Sequence, residues 1–228
     1  MVDAGPILLI ETSTPTGSLA VLSNGRIAFA SEFQSDRSHN SALFAPLQDA
    51  LAAADGHAFA RVLAGTGPGS YSGTRVGIAA AQGVALAHGC PAIGISSLLA
   101  SPAVRSGERC FAVGDARRGS GWHAEFGGGR MVRGPELYEW PEMGRVITRA
   151  LEDGVVVFSF EPCTSADFPA SLAEHVRIER PTAAGLGMAW LAMDDAGRAA
   201  CEAVPPQPVY LRPPHITEAK RGHPLKRG

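Results

Sequence analysis

The stretch Gly65-Thr-Gly-Pro-Gly-Ser-Tyr-Ser-Gly-Thr-Arg75 lies between a short apolar run, Val62-Leu63-Ala64, and a segment of small residues from Val76 to Ala87. That succession reads as a strand, a glycine-rich turn and a helix. Gly65, Gly67, Gly69 and Gly73 allow positive φ and a close approach of the backbone to a neighbour. Ser72 and Thr74 are candidate caps for the helix, whose free N–H groups could meet an anion. The loop is not a Walker loop, which needs a lysine just before its Ser/Thr, whereas Arg75 follows Thr74. Nor is it a nucleophile elbow, because neither Ser70 nor Ser72 has glycines at both −2 and +2. A turn required only for packing is the competing reading.

Outward from this loop, the chain keeps an α/β rhythm. Ile7-Leu-Leu-Ile10 is a continuous apolar run suited to a strand buried on both faces. Gly17 to Ser23 and Arg26 to Phe33 flank Asn24-Gly25, a strong two-residue hairpin signal. Leu43, Leu47, Ala50, Leu51 and Ala54 recur at helical spacing, with Pro46 near the start. Ala92 to Ile95 is a further strand. The order βββαβα then recurs. Cys110 to Asp115 mirrors the first strand, and both end in an acidic residue, Glu11 and Asp115. Trp122 to Phe126 and Arg130 to Val132 read as a hairpin around Gly127-Gly-Gly129. Pro141 to Leu151 reads as a helix, Val155 to Phe158 as a strand, and Pro181 to Ala196 as one helix. Two such halves predict a duplicated actin-like or ribonuclease-H-like fold with a cleft between them, the second copy degenerate. The expected division is 1–104 and 105–211 for the two actin-like subdomains, with 212–228 a basic tail. The last helix is expected to pack back on the first half.

Composition narrows the function classes. The 228 residues carry a formal net charge of −2, which argues against bulk nucleic-acid binding. Residues 212–228 alone are net +4. The only lysines are Lys220 and Lys226, so the body of the chain has no Schiff-base or phosphate-loop lysine. Cys90, Cys110, Cys163 and Cys201 form no C-x-x-C pair, which points to a reducing compartment. The N-terminus has no basic flank, and no apolar run approaches 18 residues. A cytoplasmic protein without a membrane segment is the expectation. In actin-like folds the first hairpin addresses a nucleotide, and Glu11-Thr-Ser-Thr-Pro-Thr-Gly-Ser18 is the corresponding turn. Its hydroxyls either donate to phosphate oxygens or satisfy their own backbone.

Together these segments resemble the bacterial TsaB (YeaZ) family of the tRNA threonylcarbamoyladenosine pathway. The resemblance is carried by Leu8-Leu-Ile-Glu11-Thr-Ser-Thr14, by His39 to Pro46, and by Gly67-Pro-Gly-Ser-Tyr-Ser-Gly-Thr-Arg75. Pro91 to Leu98, Asp115-Ala-Arg117 and Pro208-Val-Tyr-Leu-Arg212 add to it. It is dense from Ile7 to about Leu99 and sparse beyond. Glu11 departs from the family's aspartate by one methylene. The related transferase TsaD carries a metal-binding His-x-x-x-His, and that segment laid on this chain puts Ser97 and Ser101 at the two positions. Hydroxyls are poor ligands for iron or zinc. The resemblance therefore implies no catalytic residue, no metal and a scaffolding subunit that docks and activates a TsaD-type transferase. It also implies a TsaE-type ATPase as a further partner, a homodimer when alone, and tRNA contacted only indirectly. No cofactor is expected on this chain by itself; ADP or ATP would sit at an interface of the complex.

The implied partner surface is made by two helices and includes His39, Leu43, Leu47, Arg75, Ala79 and Gly83. Helix-interior glycine costs about 1 kcal/mol against alanine, so Gly77 and Gly83 need a compensating close approach. Either a partner or the chain's own sheet can supply it, and the Leu43/Leu47 stripe carries the same ambiguity. Candidate nucleotide or phosphate contacts are Glu11, Thr12, Ser13, Gly69 and Ser70. The rival reading is an ATP-binding, ATP-hydrolysing enzyme of the actin/sugar-kinase type.

Overall fold

The computed structural model describes residues 5–34, 42–116, 119–164 and 168–212. The first half opens with β1 (Ile7–Glu11), β2 (Thr16–Ser23) and β3 (Arg26–Gln34), followed by α1 (Phe44–Ala52), β4 (Arg61–Gly65), α2 (Tyr71–His88) and β5 (Ala92–Ile95). A 3-10 turn over Ser97–Ala100 and the short α3 (Pro102–Arg105) lead to β6 (Cys110–Asp115), β7 (Ser120–Gly127) and β8 (Arg130–Glu139). Then come α4 (Trp140–Glu152), β9 (Val156–Ser159), α5 (Ala170–Ala173), β10 (Arg177–Ile178), α6 (Ala183–Ala192) and α7 (Asp195–Glu202).

The strands form two sheets, ordered β3-β2-β1-β4-β5 and β8-β7-β6-β9-β10. In each, the first three strands are antiparallel neighbours and the last two run parallel to the first. Identical order and direction make this a duplicated actin-like α/β fold. The second copy is the poorer one. An 18-residue helix follows β4, but only the four-residue α5 follows β9.

Alternation along β1 explains the layering. Leu8 and Ile10 face α1 and α2, packing with Leu43, Leu47, Ile78 and Ala81. Ile7 and Leu9 face the other way, onto Ala183, Leu186 and Trp190 of α6. The chain thus returns at its far end to cover the first sheet, and the Ala183 N–H donates to Ser18 Oγ at 2.8 Å. The second sheet packs on α4 through Met143 and Ile147.

Local sequence accounts for most boundaries. Asn24 and Gly25 both take positive φ, as the tight hairpin requires. Three boundaries differ from the pattern reading. The last helix is two helices, because Asp194 caps a new one by accepting from the Gly197 N–H at 2.8 Å. β8 runs on to Glu139, beyond the expected Val132, since its outer face is solvated and lacks a continuous apolar signal. The cap of α2 is Ser70, which accepts from the Gly73 N–H, and not Ser72 or Thr74.

Candidate functional site

The carboxyl ends of β1 and β4 meet under the glycine-rich loop. The Ser70 N–H donates to the Ser13 carbonyl at 2.7 Å, and Thr12 Oγ1 donates to the Gly73 carbonyl at 2.8 Å. A Cβ at Gly69 would run into the Ser13 backbone, and one at Gly73 into the Thr12 carbonyl oxygen. These glycines are therefore needed for contact within the chain. Thr14 Oγ1 donates to the Thr16 carbonyl, and Ser70 Oγ is spent on its cap. Of the turn's hydroxyls, Thr12 and Thr14 donate to backbone carbonyls, Thr16 pairs with the Gln34 side chain and Ser18 accepts from the Ala183 N–H, while Ser13 Oγ is buried without a partner.

Glu11 is wholly buried at the base of this loop. Its Oε1 accepts from the Ser13 N–H at 2.6 Å, while Oε2 has no hydrogen-bond partner. Burial pushes its pKa above the ordinary carboxylate range, with the hydrogen bond from the Ser13 N–H pulling the other way. A carboxyl group enclosed in protein is not a surface for phosphate or a cation. Of the five candidate phosphate contacts, Glu11, Thr12 and Ser13 are buried and only Gly69 is exposed.

Ser97 and Ser101 have roles of their own. Ser97 Oγ accepts from the Gly67 N–H at 2.9 Å and steadies the loop. Ser101 Oγ donates to the Leu98 carbonyl and caps α3. Neither position offers an imidazole, and among the described residues no cluster of His, Cys, Asp or Glu is suited to a metal ion.

Between the halves lies a cleft of about 560 Å³, lined by Ser13, Ser70, Tyr71, Asp115, Phe160 and Tyr210 among others. Residues 208–212 form one wall. Arg212 reaches across to the second half, where its Nη2 donates to Ser120 Oγ at 2.6 Å; its Nε is buried without a partner. Arg212 thus contacts the second half, and residues 213–228 lie outside the described residues.

The outer surface of the first half has a different character. Ala79 and Gly83 are exposed on α2, and a Cβ at Gly83 would meet nothing within 4 Å. Leu86 is 85% exposed beyond them, and Phe44 of α1 is 62% exposed. Arg75 is exposed one turn into α2, its guanidinium over the Tyr71 ring at 5.0 Å and hydrogen-bonded to the Tyr71 hydroxyl. Leu43 and Leu47 are not on this surface. At 2% and 9% exposure they pack into the chain's own core, because their stripe is the face that covers the sheet. Gly77 likewise faces inward, against Thr12. His39 lies outside the described residues. Pattern reading missed Phe44 and Leu86, although each sits off the periodic stripe of its helix and is large and apolar, which is the available signal.

Residues 33–127 match the family model described as TsaD, tRNA N6-adenosine threonylcarbamoyltransferase. The chain is 36% identical over 127 residues to the tRNA threonylcarbamoyladenosine biosynthesis protein TsaB of Escherichia coli K12, a match covering 53% of this chain and 54% of that one. It is 37% identical over 97 residues to the protein of the same name from Haemophilus influenzae, covering 41% and 40%. The chain thus spans about half the length of the curated relatives it matches. YeaZ from Pseudomonas aeruginosa superposes with a TM-score of 0.67 at 25% identity, over 91% of this chain and 100% of that one. The glycine-rich loop, the duplicated topology and these likenesses agree: over about half of its length the chain is similar to proteins of the TsaB (YeaZ) family.

Proposed function

We propose that this chain serves tRNA threonylcarbamoyladenosine biosynthesis as a non-catalytic subunit that docks and activates a TsaD-type transferase through the outer face of α1 and α2. The observation that carries the reading is the pairing of bulk-free Ala79 and Gly83 with solvent-exposed Leu86 and Phe44 on one side of the first half. An exposed apolar patch framed by polar residues is the usual mark of a protein interface. The absence of side-chain bulk on α2 lets another helix approach closely. Two helices of this length supply roughly the 800 Å² per partner that a stable interface needs. Alone, the chain pairs with itself through the same self-complementary patch as a two-fold dimer. A TsaE-type ATPase joins the assembly, and any ADP or ATP belongs to an interface within it. The non-catalytic role is supported by Ser97 and Ser101, whose hydroxyls hold the loop and cap a turn.

The test is affinity for the TsaD-type protein of the same organism, by calorimetry. Ala79→Arg and Gly83→Leu should each abolish association, with a melting temperature no more than about 2 °C below wild type, as for exposed sites. Equal affinity in all three proteins rejects the surface. The rival ATPase reading draws on the nucleotide-sized cleft, and ATP turnover by the isolated chain would favour it. The buried hydroxyls of Thr12, Ser13 and Thr14 count against it.

A further inference from the structure

After α7 the chain doubles back along the ends of the strands and is fastened at five places. Pro206 is buried against Gly94 of β5, where a Cβ would crowd the proline ring. The Val209 N–H donates to the Thr66 carbonyl at 2.9 Å, just past the end of β4. The Tyr210 ring packs on Tyr71, with centroids 5.5 Å apart and planes tilted by 38°. Leu211 then enters the core cluster of the second sheet beside Trp122 and Phe158, and Arg212 donates to Ser120 Oγ. Ser120 in turn donates to Glu139 at the end of β8, so the last fastening is a charged donor in a hydrogen-bonded chain.

Tyr71 occupies a pivotal position here. It is the first residue of α2, directly after the Ser70 cap. One side of it carries Tyr210 of the returning segment, and it also carries the Arg75 guanidinium. Aromatic and cation–π contacts of this kind contribute about 0.5–1.5 kcal/mol each. A continuous set of contacts therefore runs from Ser120 in the second half, through Arg212, Tyr210 and Tyr71, to Arg75 on the outer surface of the first.

We propose that residues 206–212 are a strap that couples the setting of the cleft to the first turn of α2, with Tyr210 and Arg212 as positioning residues for Arg75. Releasing Arg212 from Ser120 unseats Tyr210, loosens the Ser70 cap and frees the Arg75 side chain. Only the consequence for partner docking rests on the function proposed above.

Amide hydrogen exchange on the whole chain tests the strap without any partner. In Arg212→Ala, exchange at Val209, Gly73 and Thr74 should rise about tenfold, the factor for losing one hydrogen bond to a charged group. Leu9 and Ile10 in β1 should keep wild-type protection. Tyr210→Ala should free Gly73 and Thr74 in the same way, and Tyr210→Phe, which keeps the ring, should restore them. Faster exchange at Val209 alone overturns the coupling, and so does a uniform rise that includes β1. Docking is read by a double-mutant cycle. Arg75→Ala and Tyr210→Ala should be non-additive in affinity for the TsaD-type protein, and additive losses overturn the positioning of Arg75. If the wild-type chain captures no partner, the docking reading falls and exchange alone decides the strap.

Discussion

The two faces of α2 carry glycines of opposite purpose. On the inner face, Gly73 and Gly77 lie against Thr12, where a Cβ at either position would collide with the Thr12 carbonyl oxygen or hydroxyl. On the outer face, Gly83 looks into open space. The inner glycines let the helix sit down on the end of β1, and the Thr12 hydroxyl uses that closeness to donate to the Gly73 carbonyl. The outer glycine has no neighbour among the described residues to compensate its helix-breaking cost. The same residue type in one helix thus answers to the chain's own sheet at one side and lies exposed at the other.

The sharpest way to break this contrast is Gly73→Ala. The added methyl meets a backbone carbonyl, which cannot rotate away, so the variant should lose about 3 kcal/mol, the upper end of ordinary overpacking. Chemical denaturation would read it, and a loss under 1 kcal/mol on that scale would show that the inner contact is slack.

Beneath the same contact lies Glu11, and it yields a pH-dependent effect. Its pKa is raised in the folded chain by burial, so the native state holds a proton that the unfolded state releases. Stability conferred by that proton is full below the ordinary carboxylate value near 4.5 and is lost as pH rises toward the raised value. Glu11→Gln keeps the shape and removes the titration. The variant's melting temperature relative to wild type should therefore climb as pH rises above the ordinary carboxylate value near 4.5. A gap that does not change with pH would mean that Glu11 is ionised at no cost in the fold.

The smallest effect belongs to the outer face. Gly83→Ala should stabilise the isolated chain by about 0.5–1 kcal/mol through helix propensity. Destabilisation there would reveal an unseen neighbour and collapse the contrast between the two faces.

The strand–loop–helix unit at 61–88 was legible because three independent signals coincide there: an apolar run, a glycine cluster and small residues at helical length. The Asn24-Gly25 hairpin was legible because left-handed backbone restricts the residue types that tolerate it. The choice of cap for α2 was not. Ser70, Ser72 and Thr74 all carry hydroxyls, and only the path of the loop over Ser13 selects the first. The break in the final helix was masked by alanine-rich sequence on both sides of Asp194. For the site, periodicity identified the stripe of Leu43 and Leu47 correctly as an apolar face. It could not say which neighbour that face meets, and the sheet claimed it. Exposed Phe44 and Leu86 carry the outer surface because a helix covering a sheet shows its off-stripe residues to the outside. The strap was illegible for a plainer reason: Tyr210 and Tyr71 are remote in sequence, and no local pattern encodes their meeting.

The return of α6 to the first sheet sets an order of events for a chain made from one end. Ile7, Leu9, Ala20, Leu22 and Leu63 form an apolar surface whose cover, Ala183 to Trp190, is synthesised more than a hundred residues later. Until that helix leaves the ribosome, one side of the first sheet has no lid, and closure across so long a span is entropically slow. The half that is translated first is therefore among the last to be completed, and its uncovered leucines are what a nascent-chain chaperone would meet.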